Sequence, residues 1–272
     1  FSQNLAAVKI NGLWGYMDTT GNMVLEPKYK KALPFLSKGL AVVTTDNFQK
    51  VLIDKNGEVI FSGQNIVDYS SGESGGIIAI QINEKWGFLN DAGIFEIDPH
   101  YDYARSFSKN GLAAVKRGSD WGFIDCTNNI VIDFIFEFAF EFAENGLALA
   151  SKKMSGGFGF IDSTGDFIIS PEFSGGRNFV NGLAAVRKNY NWGFIDENGK
   201  QVIECVYKSV GDFSPSGFAW VKNDAGNYAC INSDGALVSD FVYENARDFA
   251  DNGLAAVKQN GKWGFIRIST TH

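Results

Sequence analysis

Short apolar runs alternate with turn residues along the whole chain, and no apolar stripe with helical spacing is sustained. That pattern predicts strands. Leu5–Ile10 is apolar and is closed by Asn11-Gly12, a two-residue hairpin signal because both central positions of a type I′ turn take positive φ. Trp14–Asp18 is then expected to fold back antiparallel. With Asn11-Gly12 as the turn, Lys9 falls opposite Trp14, Ala7 opposite Tyr16 and Leu5 opposite Asp18, while Ala6 meets Met17 and Val8 meets Gly15 on the other face. Asp18-Thr19-Thr20-Gly21 has Asp first and Gly fourth, as a type I turn prefers. Met23–Tyr29 completes a three-stranded meander. Pro27, Pro99 and Pro171 recur in phase within this third segment; proline donates no ladder hydrogen bond, so the segment is expected at a sheet edge. Both faces are largely apolar, so each small sheet is expected to be covered by the repeat before it and the repeat after it. Ala and Gly positions would let neighbouring sheets approach, with Trp and Phe rings supplying most of the buried area.

The meander recurs. A Leu-Ala-Ala-Val motif begins near Leu5, Leu40, Ile78, Leu112, Leu147, Leu183, Phe218 and Leu254. A Trp-Gly-Phe-Ile-Asp motif begins at Trp14, Lys50, Trp86, Trp121, Phe158, Trp192, Tyr228 and Trp263. Two markers that hold one period of about 35 residues through the chain define a repeat array. The structural positions of the second motif are Trp14, Trp86, Trp121, Trp192 and Trp263, followed by Gly15, Gly87, Gly122, Gly193 and Gly264. Repeat two departs most, with Lys50-Val51 in place of Trp-Gly. Repeats five and seven carry Phe158-Gly159 and Tyr228-Ala229. The run NGLAAVKQNGKWGFI in repeat eight, the Thr-Gly turns and the Pro-x-Tyr segments together resemble the bacterial WG (KWG) repeat family, over nearly the whole chain. That resemblance implies an interaction-type repeat module with no shared ligand or catalytic residue.

The expected fold is all-β: a single array over 1–272 of about eight three-stranded antiparallel repeats. An open, curved superhelix is favoured over a closed β-propeller. The array ends on a two-strand hairpin, Leu254 to Ile266, and only Phe1 to Asn4 precede Leu5, too little for a closing strand. The start within a repeat suggests an excised or processed piece.

Composition narrows the function without naming it. The chain has 272 residues, 45% hydrophobic and 20% charged, which suits a packed core. A net charge of -7 gives no basic face for nucleic acid. No apolar run is long enough to span a bilayer as a helix. Cys126, Cys205 and Cys230 do not make a disulfide framework, and with only His100 and His272 a zinc site is not expected. No cofactor is expected, and the chain is expected to be a monomer at an extracellular or cell-surface location rather than in the cytoplasm.

The periodic polar residues have structural readings. Lys9, Lys116, Arg187, Lys222 and Lys258 would cover the cross-strand ring rather than form a stripe for anionic polymers. The Asp column, from Asp18 to Asp196, offers one carboxylate per loop, fewer than calcium requires, and suits turn stabilisation instead. Glu137, Glu141 and Glu144 sit in the Phe-rich stretch Phe134 to Glu144, weak support for a glycosidase pair. The chain is therefore expected to be non-catalytic, a scaffold for a protein or a surface polymer, with carbohydrate or cell-wall binding as the alternative. Binding in repeat arrays tends to use what varies between copies. The variable region here is repeat two, so Phe48 and the loop with Tyr69, Ser70, Ser71 and Glu73, ending at Ser74, are the candidate partner contact.

Overall fold

The computed structural model describes residues 2–35, 39–62, 66–69, 77–90, 92–154, 156–250 and 253–268. Every regular element among them is a β-strand. The backbone falls into two compact units, Phe1–Ile135 and Phe136–His272. Each is a series of small antiparallel sheets, and none of these sheets closes into a barrel.

In the first unit, Leu5–Ile10, Leu13–Asp18 and Met23–Tyr29 form the first meander. The expected register is found in full: Leu5 opposite Asp18, Ala6 opposite Met17, Ala7 opposite Tyr16, Val8 opposite Gly15 and Lys9 opposite Trp14. The turn between the two strands has φ of 50° at Asn11 and 86° at Gly12, the double positive φ that the sequence required. Repeats three, four, six and eight keep the same pairing, with Gln81 on Trp86, Lys116 on Trp121, Arg187 on Trp192 and Lys258 on Trp263.

The structure adds a short strand before the meander in most repeats. Lys31–Ala32 pairs with Ala41–Thr44, and Ser209–Val210 pairs with Phe218–Lys222. Gly175–Gly176 and Asn245–Ala246 make the same pairing with Ala184–Lys188 and Leu254–Gln259. These strands are too short to show an alternation of their own. Their pairing follows from the connection, which brings each third strand back alongside the next first strand. The long strand Ile130–Ala139 does both jobs in continuous chain: it ends repeat four, and from Phe136 it pairs with Ala148–Lys152 of repeat five.

Within each unit the core lies between successive sheets. Leu5, Tyr16, Leu25 and Tyr29 of repeat one pack on Ala41, Val43, Val51 and Ile53 of repeat two. The opposite face of repeat two, Leu40, Val42 and Leu52, packs on Ile78, Ile80 and Leu89 of repeat three. In the second unit, Ala185, Phe194 and Ile203 pack on Ala219, Val221 and Ile231. A ring pair marks four of the steps. Tyr16 meets Phe35 at 4.6 Å, Phe88 meets Phe107 at 4.8 Å, Phe160 meets Phe179 at 4.7 Å and Phe194 meets Phe213 at 4.8 Å between centroids. At these steps the Phe before a repeat is thus a wedge against the second strand of the repeat before it. A small three-stranded sheet is marginal alone, and this shared burial is what holds the series together.

Candidate functional site

The Trp-Gly positions are built by the sheet around them. Trp14 pairs with Tyr29 on the third strand, but Tyr16 pairs with Leu25. Three residues, Glu26 to Lys28, therefore face Gly15 alone, and the third strand bulges over it. A Cβ on Gly15 would lie 2.4 Å from the Leu25 carbonyl oxygen and 2.8 Å from the Pro27 nitrogen. Gly87, Gly122, Gly159 and Gly193 are roofed in the same way, with a carbonyl oxygen 2.4–2.8 Å from the position of the missing Cβ. The glycine thus makes room for a strand of its own sheet, not for the neighbouring sheet as expected. Close approach between sheets falls instead at turn glycines: a Cβ on Gly57 would meet Leu25 at 3.0 Å, and on Gly235 Ile203 at 3.1 Å. Pro27, Pro99 and Pro171 fall within the bulges on the edge strand, where a missing N–H costs no ladder bond.

The two departures from glycine confirm the reason for it. At Val51 the bulge is absent: Val59–Ser62 runs past it with Val51 on Ser62 and Leu52 on Phe61, and the register shifts only beyond, at Ile53 on Val59. Ala229 coincides with the loss of the strand itself: only single bridges remain, Tyr228 to Tyr243 and Ile231 to Leu237.

The Trp rings do not share one fate. Trp86 is buried and Trp121 is 7% exposed, whereas Trp14 and Trp192 are half-buried. Trp263, expected to be buried like its counterparts, is 49% exposed. Among the described residues no third strand lies against it, and a Cβ on Gly264 would meet nothing within 4 Å.

The Asp column stabilises turns. The Asp18 side chain accepts the backbone N–H groups of Thr20 and Asn22, each at 2.9 Å. Asp54, Asp125, Asp162 and Asp196 repeat the pattern. So do Asn90 and Asn232, which have the same acceptor without the charge. Hydrogen bonds from the Asn129 side chain first, then from the Asn129 backbone and Thr127, lower the Asp125 carboxyl to about 2. Asp18 and Asp162 are lowered too, chiefly by the hydroxyls of Thr20 and Thr164. No cluster of metal-ligating side chains is present among the described residues.

Cations cover the rings. Lys9 lies 6.0 Å from the centre of the Trp14 ring, Arg187 5.8 Å from Trp192 and Lys222 5.1 Å from Tyr228. A second column was not singled out from the sequence. Arg105, Arg177 and Arg247 come from the short lead-in strands or just after them and lie 5.2–5.4 Å over Trp121, Trp192 and Trp263. Trp192 therefore has Arg177 and Arg187 both within reach. The signal was available in the phased Arg-x-Phe of 105–107, 177–179 and 247–249.

Two of the first hairpin tips hold strongly exposed rings. Phe48 is 77% exposed, with φ of 61°. Its N–H bonds Thr45 O, as the N–H of Gly226 bonds Asn223 O in repeat seven. Tyr190 is 87% exposed with φ of 67° and stands where repeats one and eight have Gly12 and Gly261. Met154, also at positive φ, is fully exposed in repeat five. Tyr69 ends a short strand and pairs with Ile80. Ser70, Ser71, Glu73 and Ser74 lie outside the described residues. His100 is exposed, with Nδ1 2.6 Å from Asp98 O and its ring against Tyr101. The cysteines are unpaired: Cys126 exposed, Cys205 half-buried and Cys230 buried.

A family model described as WG containing repeat matches residues 1–14, 14–47, 86–119, 121–153, 158–192, 192–227 and 228–263. It passes over 48–85, the stretch that holds Val51 and the candidate loop. No curated protein sequence matches the chain. Among solved structures, BamB from Moraxella catarrhalis superposes with a TM-score of 0.54 at 11% identity, over 100% of this chain and 96% of that one. The C-terminal WD40 domain of Sif2 gives 0.52 at 10% identity, over 97% and 89%. The dihydro-heme d1 dehydrogenase NirN in complex with DHE gives 0.53 at 14% identity, over 93% and 68%. At these identities the likeness is one of fold.

Proposed function

Because this chain belongs to the family of WG-containing repeats, we propose that it is a non-catalytic scaffold whose first hairpin tips engage a protein partner on a surface. One observation carries this reading: bulky apolar side chains occupy exposed, positive-φ tip positions where sister repeats place glycine. A non-glycine residue in that conformation costs about 1–2 kcal/mol, and in the free chain neither Phe48 nor Tyr190 recovers it by burial. Contact with a partner would recover it. The recurrent carboxylates support a non-catalytic role, since the turns use their oxygens.

Carbohydrate or cell-wall polymer is the second reading, because the same exposed rings could stack on sugar faces. Binding of the purified chain to intact cell surfaces, to protease-treated surfaces and to isolated peptidoglycan separates the two. The expected result is binding abolished by protease, and weakened at least tenfold when Phe48 and Tyr190 are both replaced by Gly. Binding that survives protease and is held by peptidoglycan would establish the sugar reading. Undiminished binding by the double variant would rule out both tips as partner contacts.

A further inference from the structure

The charges of repeats five and six are sorted to opposite ends of their strands. The first hairpin tips, residues 152–157 and 187–191, carry Lys152, Lys153, Arg187 and Lys188 and no acid. The second turns, residues 162–166 and 196–200, carry Asp162, Asp166, Asp196 and Glu197 against Lys200 alone. Phe158–Ile161 and Asn191–Ile195 separate the two ends. Strands of this length span about 13–17 Å, more than the Debye length of about 8 Å at physiological salt. A ligand at the tips therefore meets the cations, although the whole chain has a net charge of -7. The two tips are neighbours. Phe173 pairs with Phe158 at the foot of the repeat-five tip, and Lys188 Nζ of repeat six lies 4.9 Å from the centre of the Phe173 ring. Glu172 binds Lys188 at 2.8 Å and offsets that one charge. Arg187 donates to Ser174 O at 3.0 Å and lies against the Trp192 ring, both uncharged, so these contacts position the guanidinium without neutralising it. Among these cations stand Met154 and Tyr190, both strongly exposed.

Resting on the reading that the hairpin tips are the partner site, we propose that the tips of repeats five and six take an acidic segment of the partner protein, one in which Asp or Glu is interspersed with apolar side chains. Charge complementarity specifies the occupant. Its carboxylates meet Lys153 and Lys188, and its apolar side chains cover Met154 and Tyr190. Opposite charges speed the encounter and fix the register, while the covered apolar surface supplies the holding. A nucleic acid or an anionic membrane fits less well, because an anion of that extent would reach beyond these two tips, and the next one, in repeat seven, carries Asp224.

The probe is a fluorescent synthetic peptide rich in Glu with Leu at intervals, titrated into the 272-residue chain beside its Gln counterpart and vesicles of phosphatidylserine and phosphatidylcholine. The expected result is saturable binding of the Glu peptide that weakens at least tenfold as salt is raised, with none of the Gln peptide or the vesicles. Lys153→Gln combined with Lys188→Gln should weaken it at least tenfold at an unchanged melting temperature. Glu197→Gln, at the far end of the strands, should leave it unchanged. Absence of binding by the native chain, equal binding by the double lysine variant, or vesicle binding lost with the same lysines would overturn the proposal. So would concentration-dependent self-association lost in that variant, which would make the acidic turns of a second copy the occupant. Cell-surface binding keeps this inference apart from the reading beneath it. Binding lost when Phe48 and Tyr190 are both replaced by Gly, but kept in the double lysine variant, would leave the tips as the site and overturn the acidic segment. Binding undiminished in both variants would overturn both.

Discussion

In repeats one, three, four, five and six one position is decided by a carbonyl oxygen. At Gly193 a methyl group would sit 2.4 Å from Ile203 O, and overpacking of this kind costs about 1–3 kcal/mol. Gly193→Ala should lower stability by that amount in chemical denaturation. Gly264→Ala should change it by less than about 0.5 kcal/mol, as surface changes usually do. The rings should divide likewise. Trp121→Ala should cost about 3–5 kcal/mol, whereas Trp263→Ala should cost clearly less because half of its surface is already in water. The sequence could not show that division, because repeats four and eight read alike at the Trp-Gly and only the strand laid over them differs. The Asp column was legible, because turn chemistry is local. The folded-state carboxyl values of Asp18, Asp125 and Asp162 are depressed, so their contribution is fully present above the ordinary value near 3.8 and is lost as pH falls towards about 2, the folded value of Asp125. Asp125→Asn keeps the turn acceptor, as Asn90 and Asn232 do, and removes the charge. The melting temperature of the native chain should therefore fall relative to that of Asp125→Asn as the pH is lowered from about 5 to about 2.

Strands one and two were readable to the residue because a two-residue turn fixes the register of a hairpin. The lead-in strand was not readable, because Lys31–Ala32 or Ser209–Val210 acquires strand character only from the chain it pairs with. The third strand lay between these cases: its phase was visible in the prolines, but the bulge emerged only from the offset between Trp14–Tyr29 and Tyr16–Leu25. Repeat seven shows what the element does without glycine, keeping single bridges in place of a strand. Gly193→Ala should push repeat six the same way, with amide exchange rising across Gln201–Tyr207 and unchanged in Ala184–Lys188. Exchange that stays slow across 201–207 would mean that the sheet absorbs the methyl by shifting as a whole. At the hairpin tips the balance reverses. Tyr190→Gly releases about 1–2 kcal/mol of left-handed strain and returns about 0.5–1 kcal/mol of chain entropy to the unfolded state. A small net gain in stability is expected in denaturant melts, and a loss would show that Tyr190 packs in the free chain.

Among the described residues the cores lie between successive sheets, and the three thiols offer a direct measure of that. Cys126 is exposed, Cys205 half-buried and Cys230 fully buried. Burial pushes the Cys230 thiol up to about 12, so almost no thiolate forms at neutral pH. What covers it is not only its own sheet. Cys230 packs with Phe218 and Trp220 of repeat seven against Ala255 and Val257 of repeat eight. Trp220 is also stacked on Phe249 at 5.2 Å and donates its Nε1–H to Arg247 O at 2.9 Å. In the intact chain a disulfide reagent should therefore react with Cys126 fastest, with Cys205 more slowly, and with Cys230 only after unfolding. Val257→Ser weakens the cover without removing a strand. A chain shortened to end before Leu254 removes the cover altogether. If neighbouring repeats complete one another's cores, Cys230 should become reactive in the native buffer in the shortened chain, with an intermediate rate in Val257→Ser, while Cys205 keeps its original rate. Circular dichroism of both variants shows whether the remaining sheets stay folded. A Cys230 that remains protected in a folded, shortened chain would mean that repeat seven closes its own core, and that stacking contributes little to holding this array together.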